Sequence, residues 1–259
     1  MIDPRSNNRL LKTLTIIILV VGITSYSTEV VPLALAFELS PPNKNLQVHW
    51  WDWILGIPAE NSPVLDETGE DCAVDQRGPI WYLAGFAGSS EGPPFGGSAE
   101  RDCTIPEGKS ILIPIFNVAC AEQTDAAVIR AELGLQEDDV IPPSQLKEGL
   151  IRCNDFYMSF VDTKQFSIDG LPLTEDDIND LRVVSPLFQI VYPDGNVFNQ
   201  APTNVKQKAV AEGYWVLVKG LEPGEHTIEV VSGLSEFNFL TDVTYHLTIE
   251  SKHSSSMLR

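Results

Sequence analysis

Val243-Thr244-Tyr245-His246-Leu247-Thr248-Ile249-Glu250 alternates apolar and polar residues along its whole length. Side chains of an extended chain point to opposite faces in turn, so Val243, Tyr245, Leu247 and Ile249 face a core while Thr244, His246 and Thr248 face outward. The preceding run, 226–231, places Ile228 and Val230 inward and gives His226 their parity. Val, Ile, Phe, Tyr and Trp gather in similar short runs at 80–86, 110–116, 156–161, 165–168, 187–192 and 214–219, separated by Gly, Pro, Asn and Asp. This pattern predicts a mainly β protein: an antiparallel β-sandwich of jelly-roll or immunoglobulin-like type with short helical insertions.

The insertions are marked by caps. Thr124 is placed to cap a helix over 125–133 that Gly134 ends, Ser144 to cap one over 145–152, and Thr174 with Asp177 forms a capping-box pattern. Near the start of the domain, 46–55 sets Trp50, Trp53, Ile54 and Ile57 at helical spacing before Pro58, and Trp51 falls off that stripe. No repeat of fixed period and no long linker divides the chain, which favours a single sandwich domain over 37–259; a split near Cys153 is the two-domain alternative.

Residues 1–36 have the pattern of an export signal. Arg5, Arg9 and Lys12 precede the apolar run 14–23, and Ala34-Leu35-Ala36 supplies a small-x-small cleavage pattern. The apolar core is short of the roughly 20 residues that span a bilayer. An uncleaved N-terminal anchor over 14–37 is the alternative, and it would bury Glu29 and Pro32. Either reading places the domain outside the cytoplasm.

The chain carries 17 basic and 36 acidic residues, a net charge of −19. The leader holds three and two of these, leaving 14 against 34 in the domain. A field of this sign repels nucleic acid and anionic lipid and suits cations or basic partners. Gly108-Lys109-Ser110 resembles the end of a phosphate-binding loop, but Cys103 stands where its first glycine belongs and a strand follows, so nucleotide binding is rejected.

In an oxidising compartment Cys72, Cys103, Cys120 and Cys153 are expected to form two disulfides. Cys120 closes one strand and Cys153 opens the next across the predicted helices, which favours Cys120–Cys153 and leaves Cys72–Cys103 to flank the strand around Trp81. Each loop of about 30 residues contributes ~3–4 kcal/mol in the chain-entropy model. The long spacings and the absence of a nearby histidine argue against zinc.

Few motifs point to chemistry. Gly88-Ser89-Ser90-Glu91-Gly92 matches the nucleophile-elbow pattern, yet Pro93, Pro94 and two further glycines follow where a helix is required, so Ser90 is discounted. His226 and His246 point to opposite faces and do not make a metal pair. Trp51 and Trp81 could supply an aromatic platform for a sugar ring, with Gln76 and Arg101 as polar partners. Asp66, Glu67, Glu70 and Asp71 form the best calcium candidate, since acidic loops can offer the oxygens this ion needs. The other acidic clusters read as solvated surface.

The blocks Trp50, Trp53, Pro58; Asn61, Pro63, Asp66, Gly69, Cys72, Gln76; Gly78-Pro79-Ile80-Trp81-Tyr82-Leu83-Ala84-Gly85; Arg101-Asp102-Cys103-Thr104-Ile105-Pro106; and Pro114-Ile115-Phe116-Asn117, with a looser Gly213-Tyr214-Trp215 and Pro223-Gly224-Glu225-His226, resemble a family of exported archaeal and bacterial proteins without an established function. The resemblance implies a signal peptide and an extracellular strand-rich domain, and it brings no catalytic residue. The expected function is therefore an exported, disulfide-stabilised binding or cell-surface protein, with a glycan or envelope component as ligand. The alternatives are an extracellular hydrolase of glycans or esters, needing Gln76, Asp66, Asp71, Arg101 and His226 to converge, and a structural envelope component that binds cations.

Overall fold

The computed structural model describes residues 37–88 and 96–251. The expected leader, the serine of the elbow-like motif and the last residues lie outside the described residues. Strand outweighs helix, and the strands form two sheets. In the first, β1 (Glu38–Ser40), β9 (Gln207–Lys219), β4 (Ser110–Ala121) and β2 (Ile80–Tyr82) lie side by side, and β7 (Arg182–Val184) and β8 (Phe188–Ile190) also pair with β9. The second runs β3 (Gly96–Pro106), β11 (Phe239–Glu250), β10 (Gly224–Leu234), β5 (Thr163–Ile168) and β6 (Leu171–Pro172). The helices are α1 (Lys44–Gly56), α2 (Ala126–Leu133), α3 (Leu146–Met158) and α4 (Glu175–Asp180).

The two sheets bury different amounts because their sequences differ in period. β11 and β3 alternate buried and open positions, so the second sheet packs one face and leaves the other to water. β9 is buried without a break from Ala209 to Val218, and β4 is nearly so, so the first sheet is covered on both faces. One face meets the second sheet through Ile111, Ile113, Val216 and Val218 against Phe166, Ile228, Val243 and Leu247. Farther along the same face, α2 and α3 cover Cys120 and Val210. The opposite face lies under α1, whose Trp50, Trp51 and Ile54 pack with Leu112, Trp215 and Leu217.

The sheets are mixed, where the sequence pattern suggested antiparallel pairing throughout. β3 runs parallel to β11, and β2 parallel to β4. β3 escapes the sequence reading because its inward row is Ala99, Arg101, Cys103 and Ile105, with a charged residue in an apolar slot. The expected strand at 156–161 is instead the end of α3 and the turn after it. Buried Leu146, Leu150, Cys153 and Met158 follow a helical stripe, and Phe156 and Tyr157 continue the helix. Two expected caps differ as well. Asp125, not Thr124, is the N-cap of α2, and α3 begins after Gln145 with no side-chain cap from Ser144. Gly134 ends α2 in the left-handed conformation, and both bonds of the Thr174–Asp177 capping box are present.

Both disulfides join the expected partners, with Cα separations of 5.8 Å for Cys72–Cys103 and 6.1 Å for Cys120–Cys153. A cut near Cys153 would sever both sheets, since β4 lies beside β9 and β3 beside β11.

Arg101 holds the long N-terminal loop onto the second sheet. It is 1% exposed. Its Nε donates to the Asp66 carbonyl at 2.7 Å and its Nη1 to the Ala84 carbonyl at 2.7 Å, with Nη1 also reaching the Tyr245 hydroxyl. The guanidinium carbon lies 5.3 Å from the centre of the Tyr245 ring and 5.8 Å from that of Phe86. Carbonyl dipoles and ring faces thus replace its lost hydration. Replacing it with methionine removes the guanidinium donor of the part-buried Asp66 carbonyl and leaves the Ala84 carbonyl with the Tyr245 hydroxyl alone, a loss of about 1–3 kcal/mol. Arg101→Met is therefore expected to lower unfolding free energy by about 1–3 kcal/mol in urea titrations, and Arg101→Lys to recover little, because lysine lacks the planar fork. An unchanged denaturation midpoint would rule out this anchoring role.

Candidate functional site

The residues expected to bind a ligand are engaged within the protein. Trp51 is 6% exposed and stacks near Phe198 at 5.4 Å, so its place off the predicted stripe did not leave it on the surface. The reason is that the segment carrying Val197 and Phe198 packs over the second flank of α1. Trp81 is equally buried, between the sheets. Gln76 clips its own loop: its amide nitrogen donates to the Cys72 and Tyr82 carbonyls, and its oxygen accepts from Tyr82 N. Arg101 is the anchor described above.

The acidic loop is organised around Asp66. One carboxylate oxygen accepts from Thr68 N at 2.8 Å, Gly69 N at 2.9 Å and the Thr68 hydroxyl at 3.1 Å, and the other accepts from Asp71 N at 2.9 Å. Burial acts to raise this carboxyl, but the bonds from Asp71, Thr68 and Gly69 outweigh it and hold the group below its ordinary value. Glu67 and Glu70 are exposed. Asp71 is pushed up by desolvation and by the neighbouring Asp66 and Glu70 charges. These oxygens serve the turn itself. Among the described residues the cluster with metal-ligand proximity is Cys120, Asp125 and Cys153, and both sulfurs there belong to a disulfide.

The set required for a hydrolase does not assemble. Arg101 and Asp66 meet only through a backbone carbonyl. His226 lies at the start of β10, bonded to Asp169 at 2.8 Å and to the Glu222 carbonyl at 2.9 Å. It shares parity with buried Ile228, whereas His246 projects from the opposite face and meets Glu100 at 3.0 Å.

What the fold does assemble is the outer face of the second sheet. Register places Glu100, Thr244, Glu229 and Ser167 in one row across four strands, with Ser98, Asp242, Val231 and Gln165 in the next. Ser167 donates to Glu229, and Thr248 to Glu225. An open groove of about 720 Å³ follows this face to the β5–β6 edge, lined among others by Asp162, Gln165, Ser167, Glu175, Glu229 and Asp242. Its one lysine, Lys164, is already shared between Glu175 at 3.3 Å and the ring of Tyr214. The groove therefore offers carboxylates, hydroxyls and an amide, with a negative field.

A buried and a half-buried carboxylate lie elsewhere, where α2 and α3 meet the first sheet. Glu212, 1% exposed, pairs with Arg182, which also reaches Asp155. Burial raises the Glu212 carboxyl, and the Arg182 charge opposes that rise. Asp125 accepts from Ala121 N at 2.7 Å beside the Cys120–Cys153 disulfide, and burial pushes it up to about 6 against the pull of that hydrogen bond. Sequence reasoning placed Asp125 inside a helix; the distant contacts that bury it leave no local pattern.

Comparison with protein-family models, curated proteins and solved structures finds no match for this chain. The site is accordingly judged on its own chemistry.

A carboxyl whose folded pKa lies above its unfolded value favours folding while protonated. The Asp125 contribution is fully present below pH 3.8 and is lost as pH rises through about 6. A shift of this size corresponds to about 3 kcal/mol. Asp125→Asn keeps the acceptor for Ala121 N without the charge. Its stability relative to the parent protein should therefore rise by up to about 3 kcal/mol between pH 4 and pH 8 in urea titrations. A difference that does not change with pH would remove Asp125 as the titrating group.

Proposed function

We propose that the protein is an exported, disulfide-stabilised binding protein of the extracellular space or cell surface, and that the outer face of its second sheet meets the ligand. The observation that carries this reading is the asymmetry between the sheets. The first is covered on both faces, while the second keeps a polar face open along three strands of 11 or 12 residues, β3, β10 and β11. Jelly-roll and immunoglobulin-like modules present ligands in a comparable way, a likeness of architecture that supports binding without naming a ligand.

The two disulfides suit an oxidising environment, in keeping with the export pattern of the first 36 residues. Among the described residues no helix is long and apolar enough to cross a membrane. The groove chemistry favours a polyhydroxylated ligand. Carboxylates accept from sugar hydroxyls, Ser167 and Gln165 can donate as well as accept, and the negative field disfavours polyanions.

The test is binding of the secreted protein to immobilised envelope glycans, with Glu229→Ala and Asp242→Ala as variants. Retention weakened about tenfold by each substitution, the effect of losing ~1.4 kcal/mol, is the expected result. If neither substitution changes retention, the outer face is not the ligand surface. Self-association that disappears as salt is raised, with no glycan retained, would favour a structural envelope component instead.

A further inference from the structure

At the start of β9 the fold sets a hydroxyl against a carboxamide whose carbonyl is already polarised. Gln207 is 2% exposed, and its Oε1 accepts from the backbone N–H groups of two successive residues, Gln123 at 2.9 Å and Thr124 at 3.0 Å. Two backbone donors on one atom fix which end of the amide is the oxygen. The amide nitrogen, Nε2, donates to the Thr124 hydroxyl at 3.0 Å, and the same hydroxyl lies 3.3 Å from Oε1. The two residues are 83 positions apart in sequence.

The frame around this pair is tied down on both sides. Glu122 N donates to the Lys208 carbonyl at 2.8 Å, Asp125 N to the Ala121 carbonyl at 2.9 Å, and Ala121 faces Ala209 across β4 and β9. Capping of the turn before α2 accounts for the two bonds to Oε1. The hydroxyl adds a nucleophile to them.

Paired N–H groups at about 3 Å from a carbonyl oxygen are the arrangement that stabilises the oxyanion formed when a nucleophile adds to the carbon. A threonine hydroxyl is such a nucleophile, and holding both groups in one fold replaces a bimolecular encounter. The last torsion of a glutamine is broad, so a turn of the amide about it presents Cδ to Oγ1 while Oε1 stays with its donors. Burial of Gln207 limits competition from water, and the neighbouring Gln123 is exposed, which leaves a small product a way out.

We propose that Thr124 and Gln207 form an intramolecular ester cross-link. Thr124 Oγ1 adds to Gln207 Cδ, and Oε1 takes up the negative charge against the two N–H groups. The carbonyl re-forms as the Cδ–Nε2 bond breaks, the hydroxyl proton passes to Nε2, and ammonia leaves. The exchange is redox-neutral, and dilution of ammonia into the medium draws it toward the ester. The link ties the turn between β4 and α2 to β9, next to the Cys120–Cys153 disulfide that ties β4 to α3. It does not depend on what the outer face of the second sheet binds.

The test is the mass of the secreted protein after reduction and denaturation, followed by digestion. A mass below that of its sequence by one ammonia is the expected result, with the peptides bearing Thr124 and Gln207 recovered as one species that hydroxylamine separates. Thr124→Ser keeps the hydroxyl and should keep the link. Thr124→Val keeps the shape without the nucleophile and should have the full mass of its sequence. The proposal is overturned if the parent protein has its full mass, if the two peptides separate before hydroxylamine is added, or if Thr124→Val still lacks one ammonia. The reading on the parent protein decides by itself, so a variant that fails to fold leaves the test intact.

Discussion

The antiparallel pairing of β4 with β9 is the constraint on which the rest of the molecule depends. These two strands are buried on both faces over most of their length, so neither their apolar side chains nor their backbone groups can rely on water. Every other layer answers that requirement. The second sheet covers part of one face, α2 and α3 cover the rest, and α1 with its tryptophans covers the other. Lateral neighbours β1, β2, β7 and β8 are short because they only complete hydrogen bonding at the edges of the pair.

Covering the pair requires long irregular segments, and buried polar side chains fix them in place. Asn154 on α3 accepts from Cys120 N at 3.0 Å and donates to the Val210 carbonyl at 2.7 Å, joining the helix to both central strands next to a disulfide. Gln207 does the same for the turn before α2 by accepting from Gln123 N and Thr124 N. Arg101, Gln76 and Asp66 hold the loop between α1 and β2. Polar residues that read in isolation as candidate ligand groups are therefore, in large part, substitutes for secondary structure where the chain has none. The groups this pattern leaves over, on the outer face of the second sheet, are those with chemistry to spare.

How much of this could be read beforehand depended on whether the signal was local. The alternation of β10 and β11 set the inward row and the opposite orientations of His226 and His246. Gly134 and the Thr174–Asp177 box marked helix ends through bonds made within a few residues. The disulfide pairing followed from the order of elements. By contrast, β3 was hidden by Arg101 in its inward row, and the aromatic run through Phe156 and Phe160 suits helix and strand equally well. Trp51 fell off a stripe drawn for a helix covered on one side, but the segment bearing Phe198 covers a second side.

The sequence by itself determined that the chain is strand-rich, acidic and cross-linked by two disulfides, because period, charge and cysteine order are properties of neighbouring residues. Tertiary structure alone decided which strands run parallel, which sheet stays open to water and where Asp125, Arg101 and Trp215 sit. Those outcomes depend on contacts between segments about 30 to more than 100 residues apart, such as β2 with β4, β3 with β11 and Phe86 with Thr241. Burial and the shift of an ionisable group arise from summed, non-local packing, which no short window of sequence contains.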